Sequence, residues 1–95
     1  MHRKVKLKYD DIREDHARIL KAINYWFKGS RRYAGGIACS EKDLEYLDRM
    51  KHCCYRPGTM WNYYGLWYPR IKAFSDVKDG AIILCSERKD GKVDW

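Results

Sequence analysis

Residues 79–85, Asp-Gly-Ala-Ile-Ile-Leu-Cys, place a turn dipeptide directly before an uninterrupted apolar run. An apolar run of this length, bounded by turn residues and without polar alternation, is typical of a strand that is covered on both faces. We therefore predict that the run lies at the centre of a β-sheet. The turn signal Asp90-Gly91 follows and predicts a hairpin, which would return residues 92–95 beside the central strand.

The residues upstream of this run are also rich in strand formers. Residues 59–68 are dense in aromatic side chains, Pro69 interrupts them, and residues 71–74 resume the pattern. Because consecutive strands usually pair as neighbours, this half of the chain predicts a three- or four-stranded antiparallel sheet.

The first half of the chain predicts one strand and two helices. Val5, Leu7 and Tyr9 alternate with lysines, which predicts a strand over residues 3–9 with a lysine face suited to a sheet edge. Apolar residues at helical spacing predict helices over residues 11–28 and 41–54. Gly29 is the expected cap that ends the first helix.

Two features connect the predicted helices. Residues 29–39 hold three glycines and two arginines, which predicts a mobile basic loop. Ser40 and Asp43 then form a variant capping box that begins the second helix. The expected fold is a single small α+β domain over residues 1–95. Its order is strand–helix–helix followed by the antiparallel sheet, with the helices packed on one face.

Length and charge restrict the classes of function. The chain has 95 residues and a formal net charge of +7, which leaves little room for a cofactor-binding fold and favours a polyanionic partner. No apolar run approaches the roughly 18 residues that span a membrane, so we expect no membrane partner. The excess charge lies in residues 1–9, 29–39 and 55–74, and none of these three segments contains an acidic residue.

The most informative of these segments is 55–74, which holds seven of the fourteen aromatic residues. On a strand, one face would enter the core and the other would display rings beside cations, as in proteins that bind single-stranded nucleic acids. The residues we predict to bind are Arg56, Trp61, Tyr63, Trp67, Tyr68, Arg70 and Lys72. The alternative is that a sheet covered on both sides buries all of these rings in its core.

The other two basic segments supply weaker candidates. The loop residues Arg31, Arg32 and Tyr33 could hold phosphates, or they could be an ordinary solvated connection. The strand residues Lys4, Lys6 and Lys8 could follow a phosphate backbone. Equally, lysines on an edge strand discourage pairing with another chain.

Neither metal nor catalytic chemistry stands out. The candidate metal ligands are Cys39, His52, Cys53, Cys54 and Cys85, but their spacing differs from that of structural zinc sites, so we predict no metal and no cofactor. Without a secretory signal, free thiols in a reducing cytoplasm are expected. His16 and His52 could serve a nuclease, yet no nucleophile, base and orienting group occur together, so an enzyme is not favoured.

The leading hypothesis is a small basic protein that binds nucleic acid, with RNA or single-stranded DNA favoured over duplex, because no helix-turn-helix or zinc-finger pattern is present. An alternative is a phage-like accessory protein that binds and inhibits a host protein or nucleoprotein complex, because Tyr, Trp and Arg also dominate protein interfaces. A small ribonuclease is the third hypothesis.

Overall fold

A computed structural model describes residues 2–32, 34–54 and 70–95. Within these ranges, two helices and four strands make up an α+β fold, as the sequence predicts. In chain order they are β1 (His2–Lys6), α1 (Ile12–Ser30), β2 (Gly36–Cys39), α2 (Glu41–Cys54), β3 (Arg70–Ala73) and β4 (Ala81–Cys85).

The four strands form one sheet in the order β1-β4-β2-β3. The apolar strand β4 lies inside this sheet and pairs antiparallel with both β1 and β2, so the predicted central position of residues 81–85 is confirmed. The lysine-bearing strand β1 lies at the edge, also as predicted, although it ends at Lys6 rather than at residue 9. The paired strands are far apart in the sequence, so the sheet depends on contacts between distant residues.

The prediction of a purely antiparallel sheet was wrong, because β2 and β3 pair in parallel. The predicted loop over residues 29–39 contains β2, whose four residues are all buried. A strand buried on both faces shows no polar alternation, and the flanking glycines favour the interpretation as a loop. Helix α2 connects β2 to its parallel neighbour β3, as a parallel pair requires a crossover connection.

Both helices pack on one face of the sheet, which confirms that part of the prediction. The main core joins apolar side chains of the helices to the inward side chains of three strands. Its fully buried members include Ile19, Ile37, Leu47, Met50, Ile82 and Leu84. None of the helices in the described part of the chain is long and apolar enough to cross a membrane.

The helix ends follow the capping rules with one difference. Asp11 caps the start of α1 by accepting a hydrogen bond from the backbone N–H of Arg13, at 2.9 Å. The helix continues past Gly29 to Ser30. Arg31 then caps it, taking the left-handed conformation expected of the glycine and donating its N–H to the Phe27 carbonyl. Ser40 accepts from the Asp43 N–H at the start of α2, so this half of the predicted capping box forms.

The second face of the sheet is partly covered by the C-terminal residues. Val93 packs with Ala38 and Cys85, and the partly buried rings of Phe74 and Trp95 surround this small cluster. An isolated antiparallel bridge joins Glu87 to Val93, so the chain does turn at Asp90-Gly91. The prediction that residues 92–95 lie beside the central strand was wrong, because the neighbours of β4 in the sheet are β1 and β2. Within the described residues, the helices therefore cover one face of the sheet, while a thin apolar layer covers part of the other.

Candidate functional site

Alternation along the edge strands places basic side chains on the face opposite the helices. Val5 of β1 enters the main core, so its neighbours Lys4 and Lys6 point the other way and are exposed. Ile71 of β3 packs against the same core, which turns Arg70 and Lys72 to that second face. We call this face the sheet platform. It comprises Lys4, Lys6, Arg70, Lys72, Ile83, Phe74 and Trp95.

The strand register aligns the cations of the sheet platform. Lys4 is opposite Ile83, Ile83 is opposite Ala38, and Ala38 is opposite Lys72. These four residues form one transverse row, which spans three strand spacings, or about 14 Å. One row thus carries a lysine at each edge and apolar residues between them.

Two aromatic rings lie beside this row. The rings of Phe74 and Trp95 are 5.8 Å apart between centroids and tilted, and both are partly exposed. The Lys72 ammonium lies 5.3 Å from the centre of the Phe74 ring, a cation–π distance. Rings with cations at their margin can stack on a flat apolar group and neutralise a negative charge attached to it.

The C-terminal segment contacts the sheet platform at the end where β3 begins. The Arg70 guanidinium donates a hydrogen bond to the Gly91 carbonyl at 3.2 Å, which ties β3 to this segment. Burial, with a smaller contribution from the charge of Asp94, raises the pKa of the Cys85 thiol. The backbone N–H of Asp94 donates to the carbonyl of Ser86, the residue after Cys85, so an acidic residue lies near this end of the sheet platform.

The end of β1 is fixed by a buried carboxylate on α1. Asp15, 1% exposed, accepts the backbone N–H groups of Lys8 and Tyr9 at 3.1 and 3.0 Å. It also accepts from the Tyr46 hydroxyl and the Arg18 guanidinium. Burial opposes ionisation, but these four donors together hold the pKa of Asp15 below its usual value. Asp15 therefore ties the segment that follows β1 to both helices.

A second buried carboxylate holds the turn before β4. Asp43, fully buried, accepts the Tyr9 hydroxyl and the Gly80 backbone N–H, the latter at 2.9 Å. Burial and the hydrogen bond to Asp43 raise the pKa of the Tyr9 hydroxyl well above its ordinary value. Tyr9 has a positive φ of 62°, a conformation that is uncommon outside glycine, and its backbone N–H donates to Asp15 instead of to a neighbouring strand.

The structure separates the other residues that the sequence predicted to bind. Arg31 and Arg32 are exposed and lie between the end of α1 and the start of β2. Lys8 is exposed beyond β1, at the connection to α1. The remaining predicted residues lie outside the described ranges. They are Tyr33, Arg56, Trp61, Tyr63, Trp67 and Tyr68.

The residues considered for metal binding and catalysis do not converge. Among the described residues, no cluster of three or more potential ligands could hold a metal ion. All four cysteines are free thiols, and only Cys53 is exposed. His16 is buried in α1, where burial lowers its pKa, whereas His52 is exposed on α2. The two histidines considered for nuclease chemistry therefore occupy different helices and different environments.

Sequence reasoning missed the contribution of Trp95. The turn signal Asp90-Gly91 predicted that the chain reverses there, but residues 93–95 then pack over the second face of the sheet instead of pairing beside β4. No model of a known family matches the chain, and neither a curated protein nor a solved structure matches it. Arguments about function therefore depend on the geometry of the molecule itself.

Proposed function

We propose that this protein binds single-stranded nucleic acid, RNA or DNA, on the sheet platform. The observation that carries the proposal is the row from Lys4 to Lys72, with a lysine at each edge and the Phe74 ring beside one of them. A single strand presents phosphates and unstacked bases together, and these are the two groups that cations and rings hold. A duplex would conceal its bases from the rings.

The net charge of the chain supports the same ligand. At +7, the protein attracts polyanions over a distance of about one Debye length, and the platform lysines supply local contacts. Helix α2 carries four acidic residues against three lysines and arginines, so it is poorly suited to reading a duplex groove. Attraction by the charge and stacking by the rings therefore favour a flexible single strand.

Titration of a labelled oligothymidylate or oligouridylate by fluorescence anisotropy, over a series of salt concentrations, tests the proposal. For about five phosphate contacts, log K should fall against log salt with a slope of about −3.5. Lys4→Gln and Lys72→Gln should each reduce the magnitude of that slope by about 0.7. Lys42→Gln, the same charge change on α2, should leave the slope unchanged.

Two results would overturn the proposal. One is the absence of binding at low salt, and the other is an equal effect of the platform and α2 variants. If the chain instead captures a protein that survives nuclease treatment and binds no oligonucleotide, the alternative of a host-protein inhibitor replaces it.

A further inference from the structure

A basic groove lies on the other side of the β1 edge, between β1 and α1. It has a volume of about 250 Å³ and an open mouth. Five of its eight lining residues are basic and none is acidic; the lining is Arg3, Lys4, Val5, Lys6, Arg18, Lys21, Ala22 and Tyr25. We call this feature the edge groove. Arg18 is also paired with the carboxylate of Asp15, so its charge is partly neutralised.

The edge groove contains an exposed aromatic ring with a guanidinium already placed against it. Tyr25 is 56% exposed, and the guanidinium carbon of Arg3 lies 5.6 Å from the centre of its ring. A planar guanidinium stacks on ring faces and can also bind phosphate with two parallel hydrogen bonds. This pair therefore offers both a stacking surface and an anion contact at one point.

The α1 wall of the edge groove is a continuous helical stripe. Arg18, Lys21 and Tyr25 are separated by three and four residues, which places them on one side of the helix. This spacing was visible in the sequence. However, only the packing of β1 shows which side of the helix faces the basic strand.

Lys4 and Lys6 belong to both surfaces. They lie on the sheet platform and also line the edge groove, so positive charge continues around the free edge of β1. Within the described residues β1 pairs only with β4, and its outer edge therefore presents backbone N–H and carbonyl groups. These groups are hydrogen-bond partners for base edges or for a ribose 2′-hydroxyl.

We propose that a bound strand passes from the sheet platform over the β1 edge into the edge groove, where a base stacks on Tyr25. This inference rests on the proposed function and specifies its ligand as a single strand long enough to occupy both surfaces. Duplex DNA is stiff over about 150 base pairs and cannot turn around one β-strand. A single strand can make that turn and keeps its bases free to stack.

Two oligothymidylates, of about 4 and about 16 nucleotides, distinguish the contributions of the two surfaces to binding. These lengths span the range of single-stranded site sizes. Tyr25→Ala should weaken binding of the long oligomer at least about fivefold, as expected for one lost stacked base, and change binding of the short one less than twofold. Tyr25→Phe keeps the ring and should bind like the parent. Lys21→Gln should also weaken only the long oligomer, whereas Lys72→Gln should weaken both.

The outcomes distinguish the two proposals. If the long oligomer binds to the parent and to Tyr25→Ala equally, the edge groove is not part of the path, although the sheet platform stands. A duplex of the same length that binds as tightly as the long single strand also overturns this inference. If neither oligomer binds the parent, the proposed function itself fails. Circular dichroism of Tyr25→Ala should match the parent, because the side chain is exposed.

Discussion

The hydroxyl of Tyr46 on α2 donates a hydrogen bond to the buried carboxylate of Asp15 on α1. The same carboxylate accepts the backbone N–H groups at the end of β1, so one side chain joins three elements of the fold. The Tyr9 and Tyr46 rings meet edge to face at 5.0 Å beside it. Both proposed binding surfaces share β1, and their shape therefore depends on this contact.

Tyr46→Phe removes one donor from a buried charge and should lower the free energy of unfolding by about 1–3 kcal/mol. Urea denaturation followed by circular dichroism measures the change. Tyr25→Phe is the matched control, since that side chain is exposed, and it should stay within about 0.5 kcal/mol of the parent. Equal stability of Tyr46→Phe and the parent would show that the hydrogen bond contributes nothing.

The lowered pKa of Asp15 predicts a loss of stability in acid. The unfolded carboxyl, with a pKa of about 3.9, binds a proton more readily than the folded one, so stability rises with pH in this range. The contribution of Asp15 is present above the unfolded pKa and is lost as pH falls through the folded value. Urea midpoints measured between about pH 2 and pH 6 should fall less steeply in acid for Asp15→Asn than for the parent. Identical slopes would contradict the prediction.

Gly36 and Gly29 should respond to alanine in opposite directions. A Cβ at Gly36 would lie 2.5 Å from Cη2 of the Trp95 ring and 2.8 Å from Cγ1 of Val93. Gly36→Ala should therefore cost about 1–3 kcal/mol of stability through overpacking. Gly29 lies inside α1 with nothing within 4 Å of such a Cβ, so Gly29→Ala should stabilise the protein by about 0.5–1 kcal/mol.

A double variant identifies the source of the stability loss expected for Gly36→Ala. If the clash with the indole ring is responsible, Gly36→Ala should be less damaging in a Trp95→Ala background than in the parent. If Gly36→Ala lowers stability equally in the two backgrounds, Trp95 does not contact β2, and its ring is not part of the sheet platform.

The four thiols should differ in reactivity. Cys53 is exposed, whereas Cys39, Cys54 and Cys85 are buried. Burial is the largest cause that raises the pKa of the Cys39 thiol, and likewise that of Cys54, to about 11, which leaves little thiolate in neutral solution. Iodoacetamide should thus alkylate one thiol per native chain rapidly, as counted by mass spectrometry. Cys53→Ser should abolish this rapid step, and its persistence would show that a buried thiol is accessible.

Short-range patterns account for the elements that the sequence predicted well. The apolar stripe and the Ser40 cap define α2 at residues 41–54, and the Asp79-Gly80 turn before an apolar run defines β4. The alternating lysines predicted β1 as an edge strand, although the strand ends at Lys6 instead of residue 9. Each of these signals involves residues that are close together in the sequence, so it can be recognised without knowledge of the fold.

By itself, the sequence determined an α+β fold with two helices and the segments that carry the excess positive charge. The tertiary structure decided that residues 36–39 form a strand, that β2 and β3 run parallel, and that β4 enters between β1 and β2. These pairings join residues distant in the chain, and their free energy comes from burial and register rather than local propensity. For the same reason, only the assembled sheet aligns Lys4 with Lys72 and places β1 beside Tyr25.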